Sequence, residues 1–315
     1  MPVRNGMPYV AATLESIAAQ TYPHYKILVW DNGSTDGTLE LLHEWIPSRI
    51  PGRIVEDRPL RLGPAMAALV EMADTELCAV IHGDDLNLPS RLELQVAFMQ
   101  SHPRAGVVGG QIDVIDEHGT VQDTGPFWKY ETDDASVRWR LRWHAQFCHP
   151  GVMLRREAVL QAGNYRDLQP FEDFDLWQRM ANTSELWNLP EKVLQYRRTR
   201  TSSTGAIVEY LPLDRQAASL NSGILFPGVR KERVMELWEA THPYNLESPS
   251  KFRHIYEIER AAVNLARALG KPTDYFLKTA LFLRQQDTLK KRFYARVGLL
   301  PLSALRQRIL HLRHN

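Results

Sequence analysis

Three acidic clusters in the 315-residue chain have the residue types and spacing to do chemistry: Asp31 heading Asn32-Gly33-Ser34-Thr35-Asp36-Gly37, the pair Asp84-Asp85 after His82-Gly83, and Glu172-Asp173-Phe174-Asp175 set between aromatic residues. Asp84 and Asp85 closely follow the apolar run 77–81 (LCAVI), where carboxylates need solvent, a partner or a cation. Hard divalent ions take carboxylate oxygens and keep waters and substrate phosphates as further ligands, so the pair suits a metal bridged to a diphosphate. It equally suits a cap for the helix that Pro89 opens. Asp31 can accept an N–H from a nucleobase, or serve only the turn and helix cap written in the residues after it. A carboxylate of the third cluster, held against apolar surface, can act as general base toward a hydroxyl. The same three acids also fit a helix N-terminus favoured by the macrodipole.

Elements must deliver these residues. Pro8 suits a first helical turn, and Val10, Leu14, Ile17 and Ala18 share a face, which predicts a helix over 8–20. Residues 25–30 (YKILVW) read as a strand that ends at Asp31, and Leu39, Leu42, Trp45 and Ile46 follow at helical spacing. A short strand at 53–56, a helix at 65–73, the strand 77–81 and a helix carrying Leu92, Val96 and Met99 continue the alternation. Such alternation through residue 101 predicts βα units on a mostly parallel sheet flanked by helices. Ligands of such sheets lie outside the carboxyl ends of the strands, so Asp31 and Asp84-Asp85 are expected to face one crevice. Beyond come a strand-like stretch at 106–116, a Trp- and Arg-rich insertion at 128–143 and apolar 152–154; past about residue 205 the patterns at 230–241, 252–269 and 273–286 are helical. The expected organisation is a first domain over 1–208 and a helical C-terminal region over 209–315.

Composition narrows the classes. Thirty-eight Lys+Arg against 37 Asp+Glu leave a net charge of +1, which removes the footprint of a nucleic-acid binder. No run reaches the ~18 apolar residues of a spanning helix. Cys78 and Cys148 cannot supply a disulfide framework and the N-terminus lacks signal-peptide organisation, so a cytoplasmic, reducing compartment is expected. No Gly-x-Gly-x-x-Gly follows a strand, and Gly223 to Gly228 lacks the Lys-Ser/Thr of a P-loop.

The order Pro-x-x-Asn, helix, Gln-Thr-Tyr, apolar strand, Asp-Asn-Gly-Ser-Thr-Asp-Gly-Thr, Gly-Asp-Asp-x-x-x-Pro and Glu-Asp-x-Asp-Leu-Trp resembles the family 2 glycosyltransferases of the GT-A, Rossmann-like fold, over about residues 1–205. The resemblance implies an inverting transferase that moves a sugar from a UDP- or dTDP-sugar to a hydroxyl of a glycan or lipid-linked acceptor in surface polysaccharide assembly. It implies that Asp31 binds the pyrimidine, with Pro2, Val3 and Asn5 lining the nucleotide pocket, and that Arg61 and Asp84 meet the donor. Asp84 and Asp85 would hold Mn²⁺ or Mg²⁺, and Asp173 would be the catalytic base. Glu172, Trp177 and His149 would shape the acceptor side. The competing class is a catalytically inactive glycan-binding or scaffold protein on the same fold.

Two positions depart from the pattern. His82 stands where many members carry an Asp; imidazole ligates Mn²⁺ and is a poor ligand for Mg²⁺, and we read His82 as a bystander. Family members run an apolar strand directly into Pro-x-x-Asn, and here Met1 occupies that junction. The expectation is two neighbouring strands with unpaired edges, so that either the true start lies upstream or the fold is weakened. Residues 288–315 carry seven Lys/Arg and no acid, with Leu302, Leu305, Ile309 and Leu312 at helical spacing. That basic amphipathic tail fits either peripheral contact with the inner face of the plasma membrane or a helix packed on the domain with a solvated basic face.

Overall fold

The computed structural model describes residues 1–315 apart from 125–127, 169, 200–209, 242–251, 279–288 and 290–315. It divides into two compact units, Met1–Tyr210 and Leu211–Asn315. In the first, β1 (Pro2–Val3), β2 (Ile27–Asp31) and β3 (Gly52–Glu56) form a parallel sheet in that order, with Val3 opposite Asp31 and Asp31 opposite Glu56. The crossovers are α1 (Val10–Ala18) and α2 (Thr38–Trp45). Val10, Leu14 and Ile17 recur at the helical period and are buried in one cluster with Val29, Leu42 and Ile50. From α3 (Leu62–Met72), Ala65 and Leu69 join Trp30 in a smaller cluster.

The second sheet is mixed. Its order is β4 (Leu77–Ala79), β8 (Met153–Arg155), β6 (Ala105–Ile115), β9 (Glu185–Arg197) and β5 (Leu86–Asn87), with β7 (Val121–Gln122) paired to β6. β6 runs parallel to β9; the other pairings are antiparallel. The helices of this half are α4 (Arg91–Ser101), α5 (Asp134–Arg140), α6 (Arg156–Gln161) and α7 (Glu172–Met180). The Trp- and Arg-rich insertion thus contains α5, whose first turn Asp133 caps by accepting the Ser136 N–H at 3.0 Å.

The two sheets are separate. β4 is an edge of the second, and between it and β2 lies a partly open, mainly apolar pocket of about 400 Å³ whose walls include Met1, Leu28, Cys78, Val80 and Met153. The Met1 amine donates to the Leu28 carbonyl at 2.7 Å, and the Met1 carbonyl accepts from Trp30 N at 2.9 Å.

The second unit holds α8 (Tyr210–Leu220) apart from its first residue, α9 (Ser222–Leu225), α10 (Lys231–Thr241) and α11 (Phe252–Ala268). Val234, Leu237, Trp238, Ile258 and Ala262 are buried in it. The helices expected at 230–241 and 252–269 are present; residues 273–278 form turns, and the rest of the expected helix at 273–286 lies outside the described residues, as does the basic tail apart from Leu289. No helix among the described residues is long and apolar enough to cross a membrane.

Candidate donor and metal site

Parallel pairing of β1 and β2 puts their carboxyl ends side by side, so the loops after them meet. Asn5, in the left-handed region at φ 51°, accepts the Thr35 N–H at 2.8 Å, and its own N–H donates to Ser34 Oγ at 3.0 Å. Asn tolerates that backbone better than most residues. Asp31 is turned into its own loop: Oδ2 accepts the Gly33 and Ser34 N–H groups, each at 3.0 Å, and Oδ1 accepts the Ser34 hydroxyl at 2.5 Å. Asn32 Oδ1 accepts the Leu60 N–H at 2.8 Å, tying in the segment before α3. Asn5 and Asp31 therefore build one rigid rim. Pro2 and Val3 are buried, so they space the loops and offer a ligand almost no surface.

Val3 also reaches the second cluster. A Cβ on Gly83 would lie 3.2 Å from Val3 Cγ2, so the absence of a side chain lets the His82-Gly83-Asp84-Asp85 loop close onto β1. Ligand atoms of His82, Asp84 and Asp85 all lie within 4.8 Å of one another. Asp85 is only 1% exposed: Oδ1 accepts the Arg197 N–H at 2.7 Å, its carbonyl accepts the Thr13 hydroxyl at 2.9 Å, and Oδ2 is buried with no partner. Burial and the neighbouring Asp84 charge push the Asp85 carboxyl well above the ordinary carboxylate range. An orphaned buried carboxylate oxygen beside a second acid and an imidazole fits a divalent cation.

Two arginines hold this loop. Arg197, at the end of β9, donates to the Asp84 carbonyl at 2.9 Å and the Asp116 carbonyl at 2.8 Å, with its guanidinium 4.5 Å over the Tyr9 ring. Arg91, fully buried on α4, donates to the carbonyls of Val80 at 2.9 Å and Val152 at 3.1 Å, to Gln95 Oε1 at 3.2 Å and to Asn87 Oδ1. Burial pulls its pKa down to about 10, which still leaves it charged at neutral pH. Neither was found in the sequence, where an arginine near a polar loop reads as surface; Arg197 had the tyrosine and second arginine around it as its only signal.

The third cluster opens α7. A Cβ on Gly63 would lie 2.3 Å from the Arg166 carbonyl and 3.3 Å from Glu172 Cβ, so the start of α3 packs directly on the start of α7. That contact brings Arg61, the N-cap of α3, toward the acids; its guanidinium pairs with Asp167 at 3.2 Å, both side chains being about half exposed. Asp173 is half-buried, and its charge contributes to pushing the phenols of Tyr130 and Tyr165 up, behind the main effect of burial. Glu172 is buried with Oε2 unpartnered, and burial raises its carboxyl despite the opposing Arg61 charge. Asp175 belongs elsewhere: it is buried and paired to Arg179 at 2.8 Å and Arg166 at 3.3 Å, a brace for the loop before α7.

His149 and Trp177 sit deeper than an acceptor-side role requires. Trp177 is fully buried against Phe147, ring centroids 5.4 Å apart, and a side chain without accessible surface cannot line a pocket. His149 is buried, with Nε2 3.0 Å from the Tyr165 hydroxyl and its ring edge-on to His82 at 5.1 Å. Burial, and then His82, hold its pKa well below the usual imidazole value, so it is neutral. Both support the site from behind.

The family model described as glycosyl transferase family 2 matches residues 1–163, which carry the Asn5–Asp31 rim and the acidic loop. The chain belongs to glycosyl transferase family 2. Among its relatives, the amylovoran biosynthesis glycosyltransferase AmsE of Erwinia amylovora is 28% identical over 186 residues, 58% of this chain and 68% of that protein. The solved structure of S. aureus TarS 1-349 with UDP-GlcNAc aligns with TM-score 0.58 at 16% identity over 95% of this chain and 90% of that one; of the longer TarS chain this protein spans about half, 52%. A mannosyltransferase from Pyrobaculum calidifontis, in complex with GDP-Man and Mn²⁺, aligns with TM-score 0.50 at 16% identity over all of this chain and 79% of that one. These likenesses show the GT-A fold, and this family 2 member is a glycosyltransferase.

Proposed function

We propose that this chain is an inverting glycosyltransferase that moves a sugar from a UDP- or dTDP-sugar to a hydroxyl of a glycan or lipid-linked acceptor in cell-surface polysaccharide assembly, working at the cytoplasmic face of the membrane. What carries the reading is the meeting of the Asn5–Asp31 rim with the His82–Asp85 loop through Val3 and Gly83, which brings a polar rim beside an orphaned carboxylate. AmsE is named a glycosyltransferase of amylovoran biosynthesis, which supports a biosynthetic transfer here, and the TarS structure holds UDP-GlcNAc, which supports a nucleotide-sugar donor.

Asp84 and Asp85 would hold a Mn²⁺ or Mg²⁺ ion, which when bound offsets the charge of the donor diphosphate. Arg61 is a second cation for that diphosphate: a half-exposed pair such as Arg61–Asp167 contributes little, so the guanidinium is free to exchange partners. Asp173 takes the proton of the acceptor hydroxyl as its oxygen bonds to the anomeric carbon and the bond from that carbon to the diphosphate breaks, so the configuration inverts. Glu172, protonated more readily than an exposed acid, orients beside it without adding full negative charge.

Thermal unfolding with a panel of nucleoside diphosphates tests the reading. UDP or dTDP with Mn²⁺, at ~100 times its dissociation constant, should add about 2.7 kcal/mol of stability. Asp85→Ala should lose the Mn²⁺-dependent part, and Asp173→Asn should keep binding while losing transfer by at least a hundredfold. Shifts that are the same in wild type and Asp85→Ala would reject the metal assignment, and loss of UDP binding in Asp173→Asn would make that residue structural.

A further inference from the structure

His82 has the features of a ligand. One of its ring nitrogens lies within 4.8 Å of carboxylate oxygens of both Asp84 and Asp85. Donors about 2.1 Å from one octahedral ion are about 3.0 Å apart when adjacent and about 4.2 Å when opposite, so three donors this close need only small shifts to share an ion. A second, independent observation concerns unmet bonding. Asp85 Oδ2 is buried without a partner, and so is His82 Nε2. A buried imidazole nitrogen left unbonded forfeits its hydration without replacement, a cost that a bystander would carry throughout the folded state and a ligand would shed on binding. The ring is also held in place: His149 packs edge-on against it at 5.1 Å and is itself fixed by the Tyr165 hydroxyl.

We propose that His82 is a nitrogen ligand of the cation held by Asp84 and Asp85, so that this site prefers Mn²⁺ or Co²⁺ over Mg²⁺. The inference rests on the donor-site reading above and adds the selectivity of that site. Magnesium takes oxygen ligands and keeps its waters, whereas imidazole suits later divalent ions with affinity rising from Mn²⁺ to Co²⁺. Replacing one carboxylate by a neutral imidazole lowers the charge that holds a hard ion and keeps a donor for a softer one.

The full chain is titrated with Mn²⁺ in the presence of UDP and followed by electron paramagnetic resonance, with competition by Mg²⁺ giving the ratio of the two affinities. Bound Mn²⁺ in the wild type should show coupling to an imidazole ¹⁴N. His82→Asp should abolish that coupling and lower the Mn²⁺:Mg²⁺ ratio by about tenfold or more, and His82→Ala should weaken Mn²⁺ binding by a similar factor. Bound Mn²⁺ without nitrogen coupling in the wild type overturns the proposal with no variant needed, and so does an unchanged ratio in His82→Asp. If the wild type binds no cation beside UDP while still binding UDP, the metal reading falls and this inference with it. If UDP itself does not bind, the donor-site reading is what has failed.

Discussion

Asp85 is a carboxylate in an expensive position. Its folded pKa is raised by burial and by Asp84, while in the unfolded chain it titrates at the ordinary value near 4. The native state therefore keeps a proton that the unfolded state has lost, and stability falls as pH rises from about 4 toward the folded pKa. In chelator, Asp85→Asn should unfold at a higher temperature than wild type at pH 8 and at a similar one at pH 4. Each kcal/mol gained would appear as about 2–4 °C in Tm. The same variant should no longer be stabilised by Mn²⁺. A lower Tm at pH 8 would show that Asn cannot keep the bond from the Arg197 amide. Asp85 was legible in the sequence as one of a pair after an apolar strand. Asp31 was legible too, yet its hydrogen bonds all run within its own loop, a turn chemistry that the residues 32–37 also spelled.

Elements explain why those side chains arrive together. α4 is more than a cover for the sheet, since its first residue, Arg91, binds Val80 at the end of β4, Asn87 on β5 and Val152 ahead of β8. One guanidinium thus fastens both ends of the acidic loop. Arg91→Met should destabilise the protein by about 3 kcal/mol or more in urea unfolding, because several buried acceptors lose their donor at once. Arg91→Lys should recover only part of this, since an ammonium cannot make the planar fork. The alternation of strand and helix up to residue 101 made these elements readable. β9 was not: Pro190 and Gly109-Gly110 across from it break the register, and a strand of 13 residues with such irregularities shows no clean period. β5 hid because two residues carry no pattern at all.

For the molecule as a whole, opposite-signed groups set a pH window. His149 is buried and His82 half-buried, and desolvation lowers the pKa of both, so the unfolded chain binds protons below about 6.5 that the native state refuses. Through these two histidines stability should fall as pH drops from about 6.5 to 5, while Asp85 acts in the opposite sense, from about pH 4 upward, in the absence of metal. Urea unfolding between pH 5 and 7 should show the acid limb flattened in His149→Gln, and an unchanged limb would argue that other groups cause it. The cavity between β2 and β4 has a mechanical consequence. Its walls are mainly apolar, although Lys26, Asp74 and Glu76 also line it and it opens to solvent, so only the part that stays dry is volume that unfolding recovers. Hydrostatic pressure favours whichever state is smaller, and internal voids are the main reason that the unfolded state of a protein takes less room. This protein should therefore yield to pressure at a lower midpoint than its thermal stability implies, and Cys78→Leu, which puts more bulk into the gap, should raise the midpoint in high-pressure tryptophan fluorescence.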